Sequence, residues 1–166
     1  MNLFILSLCF RECAECMFDK HISKMILEAV QMLSTAKHML DPFTESIPKI
    51  YKITHKNHPV SIWIRTSLEN YLWTLNMVEA MHEEWRFRYG HPSTKFHASY
   101  VVAQDLLKYA PSSDKFIKQG LTPFAQAMPD EYRGEDPVEA YRRYYQSPEK
   151  KQLASWKRRT PPSWYS

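Results

Sequence analysis

This sequence predicts a mainly α fold: a compact single-domain helical bundle with a short extended N-terminal segment and long Pro-containing loops. Three observations carry that prediction. Apolar residues recur at helical spacing over long stretches. Pro is frequent and Gly scarce, 11 against 3, which suits stiff links between helices. No stretch alternates strand-like runs with helical ones. The 166 residues are 44% hydrophobic and 24% charged, enough for one core, so residues 1–166 read as one domain.

Met1 to Phe10 is apolar but has no basic start and no small-residue cleavage site, so it reads as a short buried strand or extended arm, not an export signal. From Arg11 to Leu40 the spacing is helical, with a joint near Asp19. Ile22, Met25, Ile26, Ala29, Val30 and Leu33 gather on one face of that helix. Lys20, His21, Lys24, Glu28 and Gln31 gather on the opposite face, which is expected to be solvated. Asp41-Pro42 ends the helix, and a loop to Asn57 carries Lys49, Lys52, His55 and Lys56. His58-Pro59 opens a second long helix, running to about Arg88 before Tyr89-Gly90-His91-Pro92 stops it. Two apolar stripes on it, one through Val60, Ile64, Leu68 and Tyr71, the other through Ile62, Trp63, Trp73 and Met77, predict cover on two sides. A third helix fits Lys95 to Tyr109, and residues 111–134 read as irregular. Asp136-Pro137 and Ser147-Pro148 start two short helices, each a cap followed by Pro.

The charge is unevenly placed. Residues 1–132 hold 14 basic and 14 acidic side chains, so the net +4 lies wholly in residues 133–166. That segment interleaves cations and rings: Arg142-Arg143 inside Tyr141 to Tyr145, then Trp156-Lys157-Arg158-Arg159, then Trp164-Tyr165. Cations neutralise phosphates and rings stack on bases, so a basic aromatic C-terminal segment of this kind fits a nucleic acid. A helix packing its rings on the core explains the same residues equally well. Three Cys, an odd number, exclude a disulfide scaffold and point to a reducing, intracellular setting. No apolar run reaches the ~20 residues a membrane span requires.

Cys13-Ala-Glu-Cys16 and His55-Lys-Asn-His58 have the spacing of metal ligands, but a single C-x-x-C in a helical stretch with no second knuckle predicts packed thiols and no metal. His82-Glu83-Glu84-Trp85 lacks the second His of a zinc-protease helix, and His82, on an apolar stripe, reads as a hydrogen-bonded core residue. Glycine-rich phosphate loops and a nucleophile elbow are absent. The polar stripe Lys20, His21, Lys24 and Glu28 offers amines, an imidazole and a carboxylate at one-turn steps, the tools for breaking a bond at a sugar or phosphate. A solvated face with a Lys24–Glu28 pair accounts for it as well.

The run Phe18-Asp19-Lys20-His21-Ile22-Ser23-Lys24-Met25-Ile26-Leu27-Glu28, with Thr54-His55-Lys56-Asn57-His58-Pro59, Asn70-Tyr71-Leu72-Trp73 and Gly120-Leu121-Thr122-Pro123-Phe124, resembles a family of phage and large-virus proteins. That family is labelled pyrimidine dimer DNA glycosylase, of the phage endonuclease V type. The resemblance implies an all-α enzyme in which an N-terminal amine attacks the sugar C1′ to give a Schiff base. A Glu stabilises the sugar cation and serves as acid/base. Where those enzymes carry that Glu, this sequence has His21 between Lys20 and Lys24, with Glu28 one turn on, and Asn2 stands where they have a small residue.

The expectation is therefore a DNA-repair glycosylase with abasic-site lyase activity on damaged pyrimidines, a monomer free of cofactor and membrane, acting on double-stranded DNA with a damaged or flipped base. His21, Lys24, Lys20 and Glu28 are its candidate catalytic residues. Lys52, His55, Lys56, His58, Arg65, Arg142, Arg143, Lys157, Arg158 and Arg159 are its candidate DNA contacts. A non-catalytic nucleic-acid-binding protein of viral replication is the alternative.

Overall fold

The computed structural model describes residues 1–42 and 49–166. The part of the expected loop at residues 43–48 lies outside the described residues. Among the described residues seven α-helices form the fold and there is no strand.

The chain starts as an extended arm rather than a strand. Leu3, Phe4, Ile5 and Leu6 are each at most 2% exposed. The Cys13 thiol secures the arm by donating to the Phe4 carbonyl at 3.2 Å and accepting from the Leu6 N–H at 3.3 Å. Helix α1 (Phe10–Cys16) is followed by α2 (Asp19–Leu40), with the break at Met17-Phe18. The joint expected near Asp19 is where the sequence placed it. Ile22, Met25, Ile26, Ala29, Val30 and Leu33 are all buried, so the apolar face of α2 is as predicted.

The second long helix is in fact two, α3 (Pro59–Ile64) and α4 (Leu68–Tyr89). Polar side chains make the break by replacing helix bonds. Thr66 Oγ1 donates to the Ile62 carbonyl at 2.7 Å, Asn70 Nδ2 donates to the Trp63 carbonyl at 2.8 Å, and Ser67 Oγ caps α4 by accepting from the Asn70 N–H at 3.1 Å. One consequence is that Ile62, placed in a buried stripe by the helical wheel, is 45% exposed. Helix α4 is covered by α1, α2, α3 and α5, and Gly90 closes it in the left-handed conformation at φ 63°.

Helix α5 (Ala98–Lys108) starts three residues later than predicted, because His97 Nδ1 accepts from the Ser99 N–H at 3.1 Å and caps it. His82 is fully buried, stacked on Tyr100 at 3.7 Å and bonded to the His97 N–H, the core histidine expected. Residues 111–134 are irregular apart from two short 3-10 turns. Helices α6 (Pro137–Tyr145) and α7 (Pro148–Lys151) start on Asp136 and Ser147 caps, as their Pro signals predict.

The C-terminal segment is part of the core. Tyr141 and Tyr145 are fully buried, with the Tyr145 hydroxyl bonded to the Phe18 N–H at 2.9 Å. Beyond α7 the chain returns to α1 and α2. Trp156 Nε1 donates to the Cys16 carbonyl at 3.0 Å, and Ser155 and the Lys157 N–H both donate to the Asp19 carboxylate. Arg159 meets Glu84 at 2.9 Å and Glu15 at 3.2 Å. Beneath it Arg88, fully buried, bonds Glu84, Asp19 and the carbonyls of Met17 and Glu15. Among the described residues no helix is long and apolar enough to cross a membrane.

Candidate active site

Amines, a carboxylate and an imidazole converge at Glu28. It lies on α2, 8% exposed, on the face that helical spacing had assigned to solvent. The N-terminal arm covers that face. The Asn2 N–H donates to Glu28 Oε2 at 2.9 Å, and the Met1 amine lies 3.7 Å from the same oxygen. Lys24 Nζ lies 3.7 Å from Glu28 Oε1, one turn back along α2. The carboxylate is thus flanked by two amines, one held in the arm and one on a side chain that is 67% exposed.

His58 closes the other side. Its Nδ1 accepts from the Val60 N–H at 3.2 Å and caps α3. Burial lowers its pKa, the Met1 ammonium and His55 lower it further, and the Met1 backbone and Glu28 pull the other way. The imidazole therefore lies within electrostatic reach of both the Met1 amine and Glu28.

Asn2 fixes the start of the arm. Its Nδ2 donates to the Ala127 carbonyl at 2.8 Å, and its Oδ1 accepts from the Leu3 N–H at 2.8 Å and from the Tyr141 hydroxyl at 3.2 Å. Beside it opens a groove of about 440 Å³ lined by Pro59, Phe124, Ala125, Gln126, Arg133 and Gly134. Pro59 follows His58 and Gln126 precedes Ala127, so the groove is walled by the neighbours of residues that flank the chain start. A larger groove of about 750 Å³ lies elsewhere, between α1 and α4. Glu15, Glu79, Glu83 and Glu84 line it with Arg11 and Arg159, and this excess of carboxylates repels the phosphates of DNA.

The other expected catalytic residues are placed differently. His21 is 5% exposed rather than solvated. Its Nδ1 meets the Tyr145 hydroxyl at 2.7 Å and its ring stacks on Phe4 at 4.6 Å. Burial, aided by Lys150 and Lys24, pushes its pKa down to about 4, so it is neutral at pH 7. The arm and α6 bury it, and neither was visible to a helical wheel of α2 alone. Lys20 is exposed, and among the described residues it has no ion pair or side-chain hydrogen bond.

The candidate DNA contacts divide by exposure. Lys52, His55 and Lys56 are exposed in the loop that leads to His58, and Arg65 ties that loop to α3 by donating to the Lys56 carbonyl at 2.6 Å. In the C-terminal segment Arg143, Lys157 and Arg158 are exposed. Arg142 is turned inward, donating to the Leu6 carbonyl at 2.9 Å. Arg159 is taken up by Glu84 and Glu15 and lies over Phe87 at 4.2 Å. These two guanidiniums hold the fold together, so the segment is not a free cationic tail. Cys13 likewise serves the arm, and burial pushes its thiol up to about 12.

Sequence reasoning singled out Asn2 but missed Tyr141 and Tyr145 as neighbours of the site. The i, i+4 spacing of Tyr141 and Tyr145 beside a Pro-capped helix start was the available signal for a buried aromatic face.

Comparison with curated proteins and with solved structures returns no match. The family model described as pyrimidine dimer DNA glycosylase matches residues 1–97, which include the arm, α1 to α4, Glu28 and His58. The match spans more than half of the chain and all the groups that converge on Glu28, so the protein belongs to the pyrimidine dimer DNA glycosylase family and is a DNA-repair glycosylase in general.

Proposed function

We propose that this protein removes damaged pyrimidines from DNA and cleaves the resulting abasic site, with the Met1 amine as nucleophile and Glu28 as the acid/base. The observation that carries this reading is the Met1 amine 3.7 Å from a buried carboxylate that also accepts the Asn2 N–H.

The amine nitrogen attacks C1′, the C1′–N bond to the base breaks, and the base leaves with its bonding pair and takes a proton from solvent. Glu28 takes the proton that the attacking amine loses and returns it to O4′ as the C1′–O4′ bond opens, leaving a Schiff base. The Glu28 carboxylate then takes a proton from C2′ as the 3′ phosphate is expelled, and water hydrolyses the Schiff base to restore the amine. Burial sharpens each charge change that Glu28 must balance. Lys24, exposed beside it, has the reach of a phosphate contact, and Lys52, His55 and Lys56 are exposed on the segment that leads to His58.

The test is a duplex carrying one cyclobutane dimer or one abasic site. The wild type is expected to nick both, and Glu28→Gln to nick either far more slowly. Retention of the duplex with no nicking by wild type would favour a non-catalytic binding protein instead.

A further inference from the structure

We infer that Tyr141, from helix α6, is a positioning residue that holds the chain start at Glu28 by fixing the side chain of Asn2. The inference rests on the reading of Met1 and Glu28 above, and it assigns a part in the site to a residue beyond the stretch that the family model matches.

The geometry is a closed ring of bonds. The Tyr141 hydroxyl lies 3.2 Å from Asn2 Oδ1, 2.9 Å from the Ala125 carbonyl and 3.2 Å from the Ala127 N–H. Asn2 Nδ2 returns to the Ala127 carbonyl at 2.8 Å. A phenol has one proton, so Tyr141 accepts from Ala127 and donates to Asn2 or to Ala125. Asn2 Nδ2 is held by the Ala127 carbonyl and Oδ1 by the Leu3 N–H, with the Tyr141 hydroxyl beside it, so the side chain cannot turn without leaving a buried polar group unpaired. The Asn2 N–H is on Glu28, so fixing residue 2 confines the amine one residue earlier. Tyr141 is fully buried, and burial raises its pKa, which keeps the hydroxyl protonated as a donor.

Buried tyrosines usually have a hydroxyl partner, and a single bond to the Ala125 carbonyl would satisfy this one. What sets Tyr141 apart is that its hydroxyl also reaches both members of the Asn2–Ala127 pair. Replacing it with Phe therefore removes the bridge while keeping the ring that packs on Phe4.

The test labels the Met1 amine with formaldehyde and a borane in protein free of DNA, and reads the rate from the mass of the N-terminal peptide. Tyr141→Phe is expected to label about fivefold faster, the weight of one net hydrogen bond. On an abasic duplex its kcat should fall by roughly tenfold or more through misplacement of the nucleophile, with KM unchanged because the residue is buried away from DNA. Should Tyr141→Phe fail to fold, Asn2→Leu breaks the bridge from the other side and is read by the same labelling. Unchanged labelling in a folded variant overturns the inference. Faster labelling with no nicking by wild type keeps the clamp and removes the enzymatic reading; nicking by wild type with unchanged labelling does the reverse.

Discussion

At the scale of residues, Glu28 and His21 lie two turns apart on α2 in different surroundings. Glu28 touches two amines, so Glu28→Gln should lower the nicking rate by about 10² to 10⁴, the span for loss of a general acid/base, while the amide oxygen keeps the bond from the Asn2 N–H. His21 is buried among Phe4, Phe18 and Tyr145, so His21→Gln should cost about 1–3 kcal/mol of stability through the Tyr145 hydroxyl it leaves behind. His21 also makes stability depend on pH, together with His82, which burial likewise pushes down to about 4. Both are neutral when folded and titrate near pH 6.5 when unfolded, so the unfolded chain binds more protons below that value. Stability should therefore be full above pH 6.5 and fall as the pH drops from there toward 4. Urea titrations across that range should show a shallower fall for His21→Gln; an equal fall would mean that the imidazole is solvated.

At the scale of elements, the C-terminal segment should behave as core and not as a detachable arm. Truncation after Arg133 removes Tyr141, Tyr145 and the cover over Asp19 and Arg88. The expected outcome is loss of the near-UV circular dichroism of the aromatic core; a native spectrum would show that α6 and α7 are dispensable. Arg88→Met leaves Glu84 and Asp19 without their buried partner and should cost about 3–5 kcal/mol. Legibility followed the range of each signal. The starts at Asp136-Pro137 and Ser147-Pro148 were readable because cap and Pro act within a turn. The break between α3 and α4 was hidden, since apolar spacing runs through it and the bonds that make it come from Thr66, Ser67 and Asn70 side chains. The Lys24–Glu28 pair was legible from its one-turn step. The burial of Glu28 was not, because it is supplied by an arm 26 residues away in sequence.

At the scale of the whole molecule, the net charge of +4 is real but only part of it faces outward. Lys52 and Lys56 are exposed on the loop that leads to the site, so alanine at either should reduce the slope of log affinity against log salt by about 0.9 for each phosphate that is no longer neutralised. Arg159→Gln should leave that slope unchanged and lower stability instead, because its guanidinium is spent on Glu84 and Glu15. The reverse pattern would move the DNA footprint to the C-terminal segment. The central claim is that the amine beside Glu28 bonds covalently to the sugar. The most direct measurement incubates the protein with an abasic duplex and borohydride, then maps the reduced adduct by peptide mass. The expected result is an adduct on the Met1 amine that disappears in Glu28→Gln; an adduct on Lys24, or no covalent complex with an intact folded protein, would contradict it.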